Sequence, residues 1–230
     1  MRALIYGIRE QGKSTLALCL AAKARTDSGQ LKTVIIFDPN AQYRMFPTVT
    51  TPEDFGAWLH SSKRSRIIVY QPTPGTIPDE FQAISDLLSG SRWDYANYVL
   101  LVDEAAVLQK ANSMHPALER FLRQAPHSVD VIQTMHRQVD ASTLARVLCT
   151  DSFYFYASHL RERQIAADQW GEEVANVIPR LGRHQFCHVW TSGGFVRYSI
   201  VRTPSLWYVR INDTARTRTG TGNRTGNTGA

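Results

Sequence analysis

The chain has 230 residues, 43% of them hydrophobic, which suits one folded domain with a modest appendage. Its net charge is +6, but Arg216, Arg218 and Arg224 supply three of these charges, and the remaining +3 is weak evidence for nucleic-acid binding. No window approaches the roughly 18 apolar residues of a membrane helix, so no integral membrane segment is expected. The N-terminus enters a strand directly, without a signal-peptide pattern.

The three cysteines, Cys19, Cys149 and Cys187, lie far apart and are expected to be buried thiols in a reducing compartment. His184 and His188 lie near Cys187, but they alternate with apolar residues on an expected strand. This alternation disfavours a zinc site. Neither a disulfide framework nor a structural metal is therefore expected.

Strand and helix patterns alternate along the chain. The expected strands cover residues 2–6, 33–37, 67–70, 98–102, 129–134, 153–156, 185–190 and 195–201. The expected helices run from the first glycine loop to residue 24 and over 52–59, 79–88, 116–123, 142–148, 161–170 and 173–178. Strands separated by helices predict an α/β fold with a mainly parallel sheet flanked by helices. The last two strands flank Gly193 and Gly194 and predict a C-terminal β-hairpin.

The C-terminal 17 residues differ from the rest in composition. Residues 214–230 are rich in Gly and Thr and contain basic but no acidic side chains, which predicts a disordered basic tail. The tail could act as a solubilising end or as an arm that contacts DNA or a partner. The sequence therefore divides into one domain over residues 1–213 and this tail over 214–230.

A glycine loop follows the first strand and opens the first helix, with the sequence GIREQGKS over residues 7–14. A P-loop needs glycines where backbone approaches phosphate, a lysine for the terminal phosphates and a hydroxyl for Mg²⁺. The helix N-terminus also favours an anion. The residues expected to bind ATP are Gly7, Gln11, Gly12, Lys13, Ser14 and Thr15. Together these features predict a P-loop NTPase of the ASCE/RecA-like type.

Two carboxylates, Asp103 and Glu104, follow the buried strand at 98–102. Polar groups at the carboxyl ends of parallel strands lie where ligands bind. Asp103 is expected to hold Mg²⁺ together with Ser14, and Glu104 is expected to polarise the attacking water. The alternative for Glu104 is an acid at a helix start, stabilised by the helix dipole.

The strand at 129–134 ends in polar residues. If it lies between the strand that precedes the glycine loop and the strand that precedes Asp103, its end faces the terminal phosphate of ATP. Gln133, Thr134 and His136 are then candidate sensors of that phosphate. Strand alternation puts Gln133 and Thr134 on opposite faces, so only one of these two can face the site. Ordinary strand termination remains the alternative.

Three segments, FDPNAQY at 37–43, LLVDEA at 100–105 and QTMHRQVD at 133–140, resemble the FtsK–HerA superfamily of DNA-pumping ATPases. The resemblance extends over about residues 2–200. At the position of His136, the superfamily that the sequence resembles usually has glutamine, and at the position of Gln138 it has proline. The size and single domain are similar to those of the genome-packaging ATPases of tailless, membrane-containing icosahedral viruses.

This resemblance implies a homo-oligomeric ring in which an arginine from one subunit completes the neighbour's site. Arg123 is the first candidate for that arginine and Arg137 the second, with Arg120 near the same helix end. Arginines at a helix C-terminus also simply favour the dipole. The expected catalytic residues are Lys13, Glu104, Arg123, Gln133, His136 and Arg137.

The leading functional hypothesis is an ATP-driven translocase that pumps double-stranded DNA into a viral capsid. It implies capsid-vertex proteins as partners and a place at the packaging vertex of the virion or in the host cytoplasm. Candidate DNA-contacting pore segments are 44–51 and 110–115. The alternatives are a cellular or plasmid translocase, a filamentous-phage assembly ATPase, a small-molecule kinase and a nucleotide-dependent switch.

Overall fold

The computed structural model describes residues 1–24, 29–61, 66–90, 97–192 and 194–203. The tail at 214–230 lies outside these residues. The strands are β1 (Arg2–Tyr6), β2 (Thr33–Phe37), β3 (Thr48–Val49), β4 (Ile67–Tyr70), β5 (Tyr98–Val102), β6 (Gln109–Lys110), β7 (Ser113–Met114), β8 (Asp130–Met135), β9 (Asp151–Tyr154), β10 (Gln185–Ser192) and β11 (Phe195–Arg202).

Nine of these strands form one sheet, in the order β11-β10-β9-β1-β8-β5-β2-β4-β3. The seven strands from β9 to β3 pair in parallel, whereas β10 and β11 are antiparallel to their neighbours. The mainly parallel sheet and the C-terminal hairpin expected from the sequence are therefore confirmed. Strand β8 lies between β1 and β5, so the polar end of β8 meets the P-loop and the carboxylates.

In the part of the chain that the structure describes, seven α-helices flank the sheet. They are α1 (Lys13–Lys23), α2 (Pro52–His60), α3 (Ile77–Gly90), α4 (Pro116–Gln124), α5 (Thr143–Leu148), α6 (Leu160–Trp170) and α7 (Glu172–Val177). Buried residues of α1, such as Leu16 and Ala21, pack on one sheet face. The other six helices pack on the opposite face, through residues such as Phe81 and Phe121. The sheet is thus covered on both faces, as a parallel sheet requires.

Helix starts follow the expected capping chemistry. Thr51 caps α2 by accepting a hydrogen bond from Asp54 N at 3.1 Å, and Ser142 caps α5 by accepting one from Ala145 N at 3.0 Å. The expectation that Ser142 is the first residue of its helix was off by one residue for this reason. Each cap anchors a helix that follows a loop at the sheet edge.

The structure also adds elements that the sequence patterns did not predict. Within the described ranges these are the two-residue strand β3, the small β6–β7 hairpin and short 3₁₀ helices at Ala105–Val107, Gln138–Asp140 and Ile178–Arg180. Strand β9 begins two residues earlier than expected. The three cysteines are buried and free, as expected. In the parts of the chain described, no helix has the length and apolar character needed to cross a membrane.

Candidate nucleotide-binding site

The P-loop connects β1 to α1 at the carboxyl edge of the sheet, and two glycines shape it. A Cβ atom at Gly7 would lie 2.6 Å from Cβ of Phe155, a clash that only glycine avoids. Gly12 has φ 102° at the N-cap of α1, a conformation that side chains disfavour. The backbone therefore approaches its surroundings closely at both ends of the loop, leaving a cradle that suits phosphate.

Lys13 and Ser14 open helix α1 and line a cavity of about 610 Å³. The Lys13 ammonium donates to the carbonyl oxygen of Ile8 at 3.0 Å, and Lys13 is only 8% exposed. Ser14 Oγ donates to Gln42 Oε1 at 3.3 Å. Thr15 also lines the cavity. A cation and a hydroxyl thus lie side by side at the helix N-terminus.

Asp103 follows β5 and is held by two hydroxyl groups. Thr134 Oγ1 donates to Asp103 Oδ1 at 2.7 Å, and Tyr43 Oη donates to the same oxygen at 3.2 Å. The Thr134 hydroxyl oxygen in turn accepts a hydrogen bond from Glu104 N at 3.0 Å. Burial raises the pKa of Asp103, while the Thr134 hydrogen bond opposes that shift. The carboxylate is therefore fixed in orientation before any ligand arrives.

Glu104 and Lys13 are joined through the ring of His136. Lys13 Nζ lies 3.3 Å from His136 Nδ1, and His136 Nε2 lies 3.0 Å from Glu104 Oε2. Burial and the nearby ammonium lower the pKa of His136, so its ring is neutral at pH 7. An ammonium only donates, so Nδ1 accepts from Lys13 and the proton on Nε2 is donated to Glu104. The result is a hydrogen-bonded chain Lys13–His136–Glu104 across the cavity.

Partial burial shifts the pKa values of the side chains in the hydrogen-bonded series Lys13–His136–Glu104. Burial lowers the pKa of Lys13, and the charges of Glu104 and Asp103 work against that shift. Burial raises the pKa of Glu104, and the Asp103 charge adds to it. A carboxylate with a raised pKa is a better proton acceptor than an exposed one. Glu104 also adopts the left-handed conformation, with φ 48° and ψ 52°, so the sharp turn after β5 directs its side chain.

The loop after β2 contributes residues to which the sequence motifs assign no role. The buried Asp38 carboxylate accepts hydrogen bonds from Asn40 N at 3.2 Å and from Tyr43 N at 2.9 Å. These bonds fold the loop back, so that Asn40 and Gln42 line the cavity and Tyr43 reaches Asp103. The sequence signal was present in the Asp-Pro pair at the end of β2, but the way the loop turns back was not readable from it.

One of the two β8 sensor candidates lies away from the site. Gln133 is buried and its Oε1 accepts a hydrogen bond from Gln109 Nε2 at 2.7 Å, while its amide nitrogen lies 3.7 Å from Cys149 Sγ. Thr134 and His136 line the cavity instead. The structure therefore places Gln133 outside the cavity, because strand alternation turns it to the opposite face from Thr134.

The arginine candidates separate into different environments. Arg123 pairs with Glu119 at 2.7 Å on α4, and α4 leads to the edge of the sheet where strands β1 and β8 begin, opposite the P-loop. Arg120 bonds Ser85 and Asp86 on α3 and so joins two helices. Arg137 directly follows His136 at the cavity edge. Its side chain is 50% exposed and lies 3.8 Å from Glu162. The structure therefore places Arg137, and not Arg123, beside the cavity at the carboxyl edge of the sheet.

Several cavity-lining side chains were not predicted as site residues. They are Arg9, Glu10, Asn40, Gln42 and His184. Arg9 and Glu10 stand inside the P-loop motif at positions that the motif leaves variable. The other three reach the cavity only through tertiary folding.

The residues present fit ATP with Mg²⁺. The glycine cradle and Lys13 suit a phosphate chain, and the Ser14 hydroxyl and the Asp103 carboxylate are hard oxygen donors of the kind that Mg²⁺ takes. Mg²⁺ held by these two residues would neutralise the charge that develops on the phosphate oxygens. Glu104 lies near enough to the same cavity to activate water.

Neither a protein-family model nor a curated protein sequence matches the chain. Solved structures do match. The genome packaging NTPase B204 from Sulfolobus turreted icosahedral virus 2, in complex with AMPPCP, aligns with a TM-score of 0.68 at 19% identity, covering 85% of this chain and 95% of that protein. B204, the DNA-packaging ATPase from Sulfolobus turreted icosahedral virus, aligns with a TM-score of 0.64 at 17% identity, covering 86% and 95%.

The cytoplasmic domain of the type VII secretion ATPase EccC from Thermomonospora curvata also aligns, with a TM-score of 0.51 at 16% identity, over 89% of this chain and 24% of that one. The resemblance expected from the three sequence segments is thus confirmed at the level of the fold. The protein has the P-loop NTPase fold of the viral genome-packaging ATPase B204.

Proposed function

We propose that the protein hydrolyses ATP and uses the energy to move double-stranded DNA, as a viral genome-packaging ATPase. The observation that carries this proposal is the convergence of Lys13, Glu104 and His136 on one cavity of a B204-like fold. A small-molecule kinase would need an acceptor site beside the terminal phosphate. Here that place is taken by the second carboxylate, Glu104, which suits a water nucleophile.

The roles of the side chains follow from their contacts. Lys13 binds the β- and γ-phosphate oxygens, which compete with Ile8 and His136 for its ammonium. Glu104 accepts the proton of the attacking water while His136 holds its carboxylate in place. Thr134 orients Asp103, which together with Ser14 is the pair proposed to hold Mg²⁺.

An arginine from a neighbouring subunit would complete the site in a homo-oligomeric ring. Arg137 is the first candidate, because its side chain is half exposed beside the cavity and its ion pair with Glu162 is long, at 3.8 Å. Arg123 is the second candidate. It pairs with Glu119 on α4 and does not line the cavity of its own subunit, so it would act on a neighbour. Such a residue neutralises charge in the transition state of phosphoryl transfer.

The segment 44–51 is the stronger of the two candidate DNA-contacting segments. It starts directly after Tyr43, whose hydroxyl donates a hydrogen bond to Asp103, so a movement of the Asp103 carboxylate can reach the segment through that hydrogen bond and the Tyr43 main chain. It carries the exposed residues Arg44 and Met45. The segment 110–115, which includes the β6–β7 turn, is half exposed and follows Asp103 along the chain. DNA contact through either segment would be to phosphates and would not depend on sequence.

In this proposal the ring acts at the packaging vertex of the virion, where it meets capsid-vertex proteins, or in the host cytoplasm before it docks there. This placement is supported by the structural similarity to the B204 proteins, which are genome-packaging enzymes of turreted icosahedral viruses.

The test is the rate of ATP hydrolysis with and without linear duplex DNA. The wild-type chain should turn over ATP faster with DNA, whereas Lys13→Ala should not hydrolyse ATP. Glu104→Gln should still bind ATP with Mg²⁺ but hydrolyse it about 100-fold more slowly or worse, as expected for loss of a general base. Glu173→Gln, the same change at an exposed position on α7, is the control and should match wild type.

Two outcomes would overturn the proposal. One is wild-type hydrolysis that DNA does not stimulate, together with transfer of phosphate to a small acceptor. The other is loss of ATP binding in Glu104→Gln, which would make Glu104 a structural residue.

A further inference from the structure

The base of the C-terminal hairpin lies against the P-loop. His184 directly precedes β10 and Thr203 directly follows β11, and Thr203 N donates to His184 O at 2.7 Å. His184 Nδ1 lies 3.2 Å from the carbonyl oxygen of Gln11. A Cβ at Gly12 would lie 3.2 Å from Thr203 Oγ1 and 3.3 Å from His184 Nδ1. The hairpin base and the phosphate loop therefore touch directly.

The sheet order decides which end of a nucleotide this contact faces. The P-loop strand β1 lies between β8 and β9. Strands β8 and β5 bring His136 and Glu104 to one side of the loop, and that side receives the terminal phosphate. Strands β9, β10 and β11 lie on the other side. A nucleotide whose terminal phosphate lies beside His136 and Glu104 would therefore extend its nucleoside half toward the opposite side of the loop, where the hairpin base lies.

The side chains at the hairpin base have unused hydrogen-bonding capacity. The Gln11 carbonyl only accepts, so Nδ1 of His184 is the donor in this contact, and the second ring nitrogen, Nε2, is not used in it. Thr203 Oγ1 and Gln11 Oε1 are both buried, yet neither has a hydrogen-bond partner among the described residues. Buried polar atoms without partners are rare in folded proteins, and a missing ligand is one explanation for them.

The backbone of His184 also marks it as unusual. It has φ 61°, in the left-handed region, which non-glycine residues adopt uncommonly and in which Asn, Asp and His are the side chains found most often. A histidine at such a position costs folding energy that glycine would avoid. Its ring lines the same cavity as Lys13 and Glu104, where it offers a flat face for a base and a second ring nitrogen for a hydrogen bond.

We propose that His184 and Thr203, at the base of the C-terminal hairpin, bind the nucleoside half of ATP. His184 contacts the base or ribose from the cavity wall. The Thr203 hydroxyl, which has no partner among the described residues, is the second group that hydrogen-bonds the nucleoside. This inference rests on the proposed function, since it requires ATP in the cavity. It makes the hairpin part of the nucleotide site and not only an extension of the sheet.

The experiment compares two ligands that share a phosphate chain but differ in the nucleoside. Binding of AMPPCP and of inorganic tripolyphosphate, each with Mg²⁺, is measured calorimetrically on the full chain. His184→Asn keeps a residue that tolerates positive φ, and Thr203→Val removes only a hydroxyl. Each should weaken AMPPCP binding about 3- to 10-fold, the cost of one neutral hydrogen bond, and leave tripolyphosphate binding unchanged. Thr191→Val, on an exposed part of β10, is the matched control.

Tripolyphosphate binding also reports whether the P-loop of each variant is intact, so a misfolded variant is recognised at once. Equal weakening of both ligands by His184→Asn would overturn the inference, because the contact would then act on the phosphates. Unchanged AMPPCP binding in both variants would overturn it as well. If the wild-type chain bound tripolyphosphate but not AMPPCP, or neither, the proposed function itself would fail.

Discussion

Replacing His136 tests the chain Lys13–His136–Glu104 most directly. His136→Ala removes the donor that holds Glu104 Oε2 at 3.0 Å and the acceptor that meets Lys13 Nζ at 3.3 Å. With ATP bound, Lys13 turns to the phosphates, so only the bond to Glu104 is lost during hydrolysis. A hydrogen bond to a charged group contributes about 1.5–3 kcal/mol. Because 32% of the His136 side chain is exposed, solvent screens the interaction and the lower value applies.

About 1.5 kcal/mol corresponds to a roughly 10-fold lower kcat. The KM for ATP should change little, because Lys13 and the P-loop remain. His136→Gln should recover most of the activity, since one amide supplies both an acceptor for Lys13 and a donor for Glu104. Steady-state kinetics of the three proteins under DNA-stimulated conditions provides the measurement. A change confined to KM, or equal losses in the Gln and Ala variants, would refute the positioning role of His136.

Two further predictions concern the ring and the acid stability of the fold. Arg137→Ala subunits mixed with Glu104→Gln subunits should regain ATPase activity once exchange is proven with tagged chains. The same mixture made with Arg123→Ala decides which arginine acts in trans, and no recovery with either would argue against both. Separately, burial raises the pKa of Asp151, but hydrogen bonds from His188 and a neighbouring threonine outweigh this and hold it below 3.8. A lowered folded-state pKa stabilises the fold above the unfolded value, and this contribution is lost as the pH falls through the folded value. Asp151→Asn should therefore be about 1 kcal/mol less stable at pH 7 and should lose less stability than wild type below about pH 4, as measured by urea unfolding; equal acid sensitivity would contradict this.

Much of the fold was predictable because the signals are local. The βαβ alternation follows from apolar runs separated by helical patterns, and the P-loop and the Asp103–Glu104 pair are contiguous motifs. The position of β8 between β1 and β5 was an assumption in the sequence, and the sheet order bears it out.

The face of β8 was not predictable, because every residue of β8 is buried. A strand buried on both faces shows no alternation of polar and apolar residues that would tell which side holds the ligand. Gln133 and Thr134 were therefore equivalent in the sequence, although only Thr134 reaches Asp103. Residues such as Gln42 and His184 were missed for another reason. Each reaches the cavity through a loop whose path is set by long-range hydrogen bonds, such as that between His184 and Gln11.

The left-handed backbone of Glu104 has a consequence for how this sequence can change. A glycine there would relieve a conformational cost of about 1–2 kcal/mol, so folding alone favours its loss. A library of variants selected only for thermal tolerance should drift toward glycine at this position and become inert. A selection that rewards ATP hydrolysis should keep the glutamate and gain thermal stability through substitutions elsewhere, for example on the exposed faces of α6 and α7. The residue at position 104 would then report which of the two pressures a population had experienced.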